Sequence, residues 1–212
     1  MLFETPERRQ AVAISTASFN SPPKDLVSQF EQWASSNRNC RMGLPSCSPS
    51  PAADQLLVLE KFNVFRALLS NSSILGFTTE ANMKDDALSP FLDQPLRDLT
   101  LLPRSLHPTA LQCYVPHHPR IDLLPDPRMR DNILCAGDDF DEMALCGDLV
   151  GLFSESSGQA GMVVWGQPWM QCEWEVTEDF LRRWAWVVEG CWELFESTNR
   201  WRMRRGERRL RF

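Results

Sequence analysis

TEDFLRRWAWVVEGCWELFESTNRW, residues 177–201, is the stretch whose reading decides the fold. Phe180, Leu181, Trp184, Val187, Val188, Cys191 and Phe195 recur at steps of three and four, the spacing that lines one face of an α-helix. Thr177 suits the N-cap, because its hydroxyl can accept an N–H that the first turn leaves unpaired. Glu178 and Asp179 then complement the positive end of the helix dipole. The pattern predicts one helix that follows Thr177, runs into the arginine-rich end of the chain and stops near Gly206.

Upstream, GMVVWG (161–166) is the best strand candidate, short and β-branched at its centre. Eight prolines between Pro90 and Pro127 exclude long regular elements there and predict a wrapped, loop-rich segment with short helices. In DQLLVLEKFNVFRALLSNSSILGF (54–77), Val58, Phe62, Phe65 and Leu69 form one apolar stripe, widened by Leu57, Val64 and Leu68. That width predicts a mostly buried helix, with Asp54 as N-cap and Gly76 as its stop. Residues 24–36 have the spacing of a short amphipathic helix, and 35–53 have the Ser, Pro and Asn content of a flexible link. The expected fold is mainly α with a few short strands, with α+β as the variant. One compact domain spans 54–212, and 1–53 is a partly disordered extension.

The totals support a packed core: 43% of the 212 residues are hydrophobic and 10% aromatic. Seven of the eight Trp fall between Trp165 and Trp201. The net charge of −6 is unevenly spread. Residues 200–212 hold seven Arg and one acid, a balance of +6, so residues 1–199 sum to −12. A basic end on an acidic body points to a polyanionic partner at that end. The seven Cys are odd in number and contain no CxxC, which argues against a disulfide framework or a zinc knuckle. MLFETPERRQ at the start lacks the apolar stretch of a secretory signal, and no apolar run reaches a membrane span. The expected setting is reducing, and the expected location is cytoplasmic.

GDDFDEMAL (137–145) packs Asp138, Asp139, Asp141 and Glu142 into five positions just before an apolar stretch. One reading is a solvated helix start favoured by the dipole. The other is a site that holds something cationic. If 138–150 is helical, Asp138 and Asp139 lie four and three residues from Glu142, so all three reach one substrate. Phe140, Ala144 and Gly147 then pack inward. His107, His117 and His118 each adjoin a proline and have no Cys or His partners at ligand spacing, so no metal site is expected. His117 or His118 is open to an acid–base role or to ordering the loop. Arg120, Asp122 and Arg130 are candidates for ion pairs that hold it.

From about Phe62 to Gly206 the chain resembles a fungal domain found mostly C-terminal to bZIP regions. The resemblance is carried by FNVFRALLSN with LGF, LPRSLHPTALQ, VPHHPRIDLLPDPRMRDNIL, VVWGQPW, WEVTEDFLRRW and STNRWRMRRGE. The basic residues before position 60 are scattered and no leucine heptad follows them, so the DNA-reading half of a bZIP factor is missing and DNA is not an expected partner. A stand-alone branch of this domain is similar to the fungal arginine-containing cyclodipeptide synthases, whose Asp-Asp-x-x-Glu motif is matched by Asp138, Asp139 and Glu142. That likeness implies catalytic roles for these three acids and arginyl-tRNA and a second aminoacyl-tRNA as partners. It implies no cofactor, since the ester is already activated and no GxxxxGK[ST] loop is present.

On this reading His117, His118, Arg120 and Asp122 are candidate substrate-binding residues. Arg200, Trp201, Arg202, Arg204, Arg205, Arg208 and Arg209 are candidates for tRNA, through phosphate contacts and a stacked base. Cys113, Cys135 and several Ser are open as the nucleophile of a covalent stage. A non-catalytic regulatory module is the alternative. A Mg²⁺–diphosphate site on the acidic motif ranks third, because no second metal motif is visible.

Overall fold

The computed structural model describes residues 51–78, 84, 86–92, 99–151 and 160–212, with side chains from Phe62 onward. The short helix expected over 24–36 lies outside them. Among the described residues there are six α-helices and one two-stranded antiparallel sheet, so the fold is mainly α with short strands.

Helix α1 spans Pro51–Leu75 and ends before Gly76, as the sequence indicates. It begins four residues earlier than an N-cap at Asp54 implies, so Asp54 lies within the helix and does not cap it. A proline at the start of a helix loses nothing, because the N–H it lacks would be unpaired there anyway. Phe62, Val64, Phe65 and Ala67 are buried, while Leu68 and Leu69 are half-buried, consistent with a wide apolar face.

The proline-rich region breaks into pieces. Three single 3-10 turns occur at Leu99–Leu101, Arg104–Leu106 and Ile121–Leu123, and a five-residue helix, α2, at Ala110–Tyr114. Helix α3 (Pro127–Ala136) starts with proline at its first position, and Asp126 caps it by accepting the N–H groups of Arg128 and Met129. Helix α4 spans Glu142–Val150.

Strand β1 (Met162–Val164) pairs with β2 (Trp174–Val176), with Met162 opposite Val176 and Val164 opposite Trp174. β1 packs on α1, and β2 packs on the last helix. Gly161 enters the ribbon at a point of close approach: a Cβ there would sit 2.5 Å from the Asp148 carbonyl oxygen and 2.5 Å from Phe180.

The long helix predicted from Thr177 is divided. Thr177 does cap α5 (Glu178–Trp184), accepting the Phe180 N–H. A 3-10 turn follows at Ala185–Val188, and α6 begins only at Trp192 and ends at Arg204. Gly190 has φ +74°, a conformation that costs an L side chain about 1–2 kcal/mol. The chain turns there, and the step-of-three-and-four pattern continues across two helices that share one core. Phe180, Trp184, Val187, Val188, Cys191, Leu194 and Phe195 are all buried.

Most of the apolar residues form one large cluster around Val64, Ile133, Leu145, Met162, Trp174, Val176 and Val187. A smaller cluster joins Leu75, Leu106 and Leu123, and Leu68 packs against both. Buried polar groups tie the loops to this core. Arg130, fully buried, donates to the side chain of Gln112 and to the carbonyls of Ser105, Leu124 and His107. Asn71 donates to the carbonyls of Leu123 and Pro168.

Candidate functional site

The acidic motif lies on the turn between α3 and α4. Gly137 closes α3 with φ +56°. Asp141 is the N-cap of α4, its carboxylate accepting the Ala144 N–H at 2.9 Å. The helix expected over 138–150 therefore starts at Glu142, and Asp138 and Asp139 precede it. The reason is local: a carboxylate that caps a helix must itself sit outside it, in extended backbone. Phe140 anchors the turn by packing edge-on against Trp186 at 5.1 Å and Trp184 at 6.4 Å. Ala144 is half-buried and Gly147 buried, so the inward face of the motif is as expected. Asp138 and Asp139 are exposed, and helical spacing does not bring them to Glu142.

Glu142 has a different environment. It is half-buried, and its Oε1 is out of contact with water and has no hydrogen-bond partner among the described residues. An unpaired buried carboxylate oxygen is costly unless a donor arrives.

Its neighbours come from the proline-rich loop. Asp122, buried, is the hub: it accepts from Ser89 Oγ at 2.6 Å, from His117 Nε2 at 2.7 Å and from the Gln112 amide. His117 Nδ1 lies 2.6 Å from the Val115 carbonyl oxygen. Both ring nitrogens thus face acceptors, which only the doubly protonated imidazolium can satisfy. Burial works against that charge. The hydrogen bond and charge of Asp122, helped by Val115 and Glu142, outweigh it and hold His117 above its ordinary 6.5. His118 donates from Nε2 to the Lys84 carbonyl and accepts the Arg120 N–H on Nδ1. The Arg120 guanidinium reaches α4, at 3.2 Å from Met143 Sδ and in hydrogen-bond contact with Cys146.

The structure therefore places Arg120 against the first turns of α4, and His117, held by Asp122, within reach of the Glu142 charge. Cys146 in the same place is a poor nucleophile: burial pushes its thiol up to about 11, against the pull of Arg120. Cys191 is likewise pushed up, first by burial and then by Asp126. Of the two Cys left open as nucleophiles, Cys113 is half-buried and Cys135 exposed. Ser89 and Gln112 are parts of the hub that the sequence reading missed. Thr109-Ala-Leu-Gln112 carried the signal for one of them, since it is a capping box, with Thr109 and Gln112 each accepting the other's N–H.

The arginine-rich end lies elsewhere, on the last turns of α6 and the segment after it. Arg205 grips buried Glu175 of β2 with two bonds, at 2.8 and 2.5 Å, and also Glu207. Arg202 pairs with Glu207, and Arg200 donates to the Cys172 carbonyl. Trp201 stacks on Trp165 at 4.9 Å, and the Arg204 guanidinium lies over its ring at 4.6 Å.

Among the described residues, no group of three or more His, Cys, Asp or Glu converges to hold a metal ion, and no helix is long and apolar enough to cross a membrane. A small apolar cleft lined by Pro125, Met129, Met162, Trp174 and Leu194 contains none of the residues of the acidic motif.

No curated protein and no solved structure matches the chain. The family model described as Domain of unknown function (DUF3425), a family associated with bZIP-type regulators, matches residues 89–195. That match takes in the proline-rich loop, the acidic motif, the strand pair and the start of α6, just over half of the sequence, and the chain belongs to the DUF3425 family.

Proposed function

We propose that the chain is an enzyme of fungal secondary metabolism, a transferase that condenses arginine with a second amino acid into a diketopiperazine, drawing both from aminoacyl-tRNA. The observation that carries this reading is Glu142: a half-buried carboxylate with one oxygen unpaired among the described residues. A guanidinium offers five N–H donors in a planar fork and satisfies such an oxygen directly. The His117–Asp122 pair and Arg120 fix the wall beside it.

In the reaction, the α-amine of one aminoacyl ester attacks the ester carbonyl of the other. The peptide C–N bond forms, the ester C–O bond breaks, and the tRNA hydroxyl leaves with the proton. The remaining α-amine then attacks the second ester in the same way and closes the six-membered ring. Glu142 holds the arginyl side chain. Asp138 and Asp139, solvent-facing on the preceding turn, are available to take a proton from the α-ammonium and so free the amine that attacks.

The test supplies purified protein with arginyl-tRNA and a mixed aminoacyl-tRNA pool and analyses products by mass. The expected product is a cyclic dipeptide containing arginine, abolished by RNase and lost in Glu142→Gln. Product that survives RNase treatment contradicts the tRNA route, and absence of product contradicts the enzyme.

A second reading, a non-catalytic regulatory module, is favoured by the association of the matched family with bZIP-type regulators. It expects no product from any aminoacyl-tRNA pair.

A further inference from the structure

The end of the chain folds back along α6. Leu210 exchanges two hydrogen bonds with the Asn199 side chain, at 2.8 and 3.2 Å. Arg202 Nε donates to the Arg208 carbonyl at 2.7 Å, and Phe212 stacks on Phe195 at 3.8 Å. The Arg205–Glu175 fork locks this arrangement to β2. The arginines consequently fall into two sets. Arg200, Arg202 and Arg205 are committed to carbonyls and carboxylates of the protein itself. Arg204, Arg208, Arg209 and Arg211 are exposed and, among the described residues, pair with no acid; Arg209 touches only Met203 Sδ.

We infer that Arg204, Arg208, Arg209 and Arg211 form a preordered docking surface for the phosphate backbone of a nucleic acid with unpaired bases, with the Trp165–Trp201 pair as its stacking platform. Four exposed guanidiniums that pair with no acid among the described residues, on an otherwise acidic molecule, attract a polyanion to this end. Their backbone is pinned, so little order is gained on binding. Unpaired bases are favoured over a duplex because of the tryptophans. Arg204 covers the Trp201 ring but has no ion pair to lose, so it can vacate the ring for a base and move to a phosphate. This surface includes none of the residues of the acidic motif and does not depend on the proposed catalysis.

The test is fluorescence anisotropy with a short labelled single-stranded RNA across a salt series, against duplex DNA of equal length. The wild-type chain is expected to bind the single strand more tightly, with affinity falling steeply with salt. The variant R204Q/R208Q/R209Q/R211Q should lose about 3 from the slope of log affinity on log salt, as expected for four phosphate contacts. Arg182→Gln, on α5, serves as the control and leaves the slope unchanged. An unchanged slope in the quadruple variant, with its circular dichroism and Tm intact, overturns the proposal, as does equal or tighter binding of the duplex. Because the probe carries no amino acid, binding without any cyclic product would retain this surface and remove the catalytic reading, and the converse result would do the opposite.

Discussion

A single residue, His117, ties the proline-rich loop to the environment of Glu142, and its charge makes the loop sensitive to pH. Its titration is raised in the fold, so its contribution to stability is fully present below the ordinary value of 6.5 and is lost as pH rises through the higher folded value. Urea unfolding between about pH 6 and 8 should show stability falling with pH. His117→Gln should flatten that slope, and an unaltered slope in the variant would mean that the imidazole is not charged in the native state. Arg130 allows a sharper test. It is fully buried and serves four acceptors, three of them carbonyls from the loop. Burial, only partly offset by Asp122, Asp126 and Asp131, lowers it to about 10, which still leaves it charged at neutral pH. Arg130→Ala should cost about 3–5 kcal/mol by denaturant titration, because the Gln112 amide oxygen and three loop carbonyls lose their donor at once. Arg130→Lys should recover little of it, since an ammonium cannot span the fork.

At the scale of elements, the start of α4 separates an acid that caps a helix from the acids that the proposed reaction uses. Asp141→Ala removes the N-cap and should lower stability by about 0.5–2 kcal/mol. Asp139→Ala touches no hydrogen bond of its side chain, so its Tm should stay at the wild-type value while product formation is lost. Full activity in that variant would return Asp139 to the role of a solvated charge. The same turn shows what the sequence could and could not tell. Thr177 as a cap, the strand at 162–164, the fragmentation of the proline-rich stretch and the stop near Gly206 follow from local chemistry, and local chemistry is what a sequence displays. The break at Gly190 was hidden because both helices present their apolar residues to one core, so the period runs on where the backbone does not. The strand Trp174–Val176 was hidden because its three residues are all buried, which erases the alternation a half-exposed strand would show. In the candidate site, His117, Asp122 and Arg120 were legible as a set through their crowding in one loop. Ser89 was not, since 33 residues separate it from Asp122 and only the fold brings them together.

For the whole molecule, the two apolar clusters set the order of opening. The smaller one, around Leu75, Leu106 and Leu123, is held by short 3-10 turns and few buried groups. Hydrogen exchange in residues 99–107 is expected to run roughly tenfold or more ahead of that in 129–134 and 194–198, whose amides lie in helices of the larger cluster. Equal protection across both would show that the molecule opens as one unit. The site by Glu142 draws on both sides of this division. The loop that carries His117 and Asp122 spans both, with Ile121 and Leu124 in the larger cluster and Leu123 in the smaller, while α4 belongs to the larger one.

Gly161 carries a consequence of another kind. With the Asp148 carbonyl oxygen 2.5 Å from where a Cβ would stand, even the smallest side chain pushes on backbone. In a saturation library scored for survival, position 161 should accept its native codon alone, while exposed Gly166, whose nearest obstacle is the movable Glu173 carboxylate, should admit replacements. Such a one-letter column would give a fixed reference mark for aligning distant sequences to this chain.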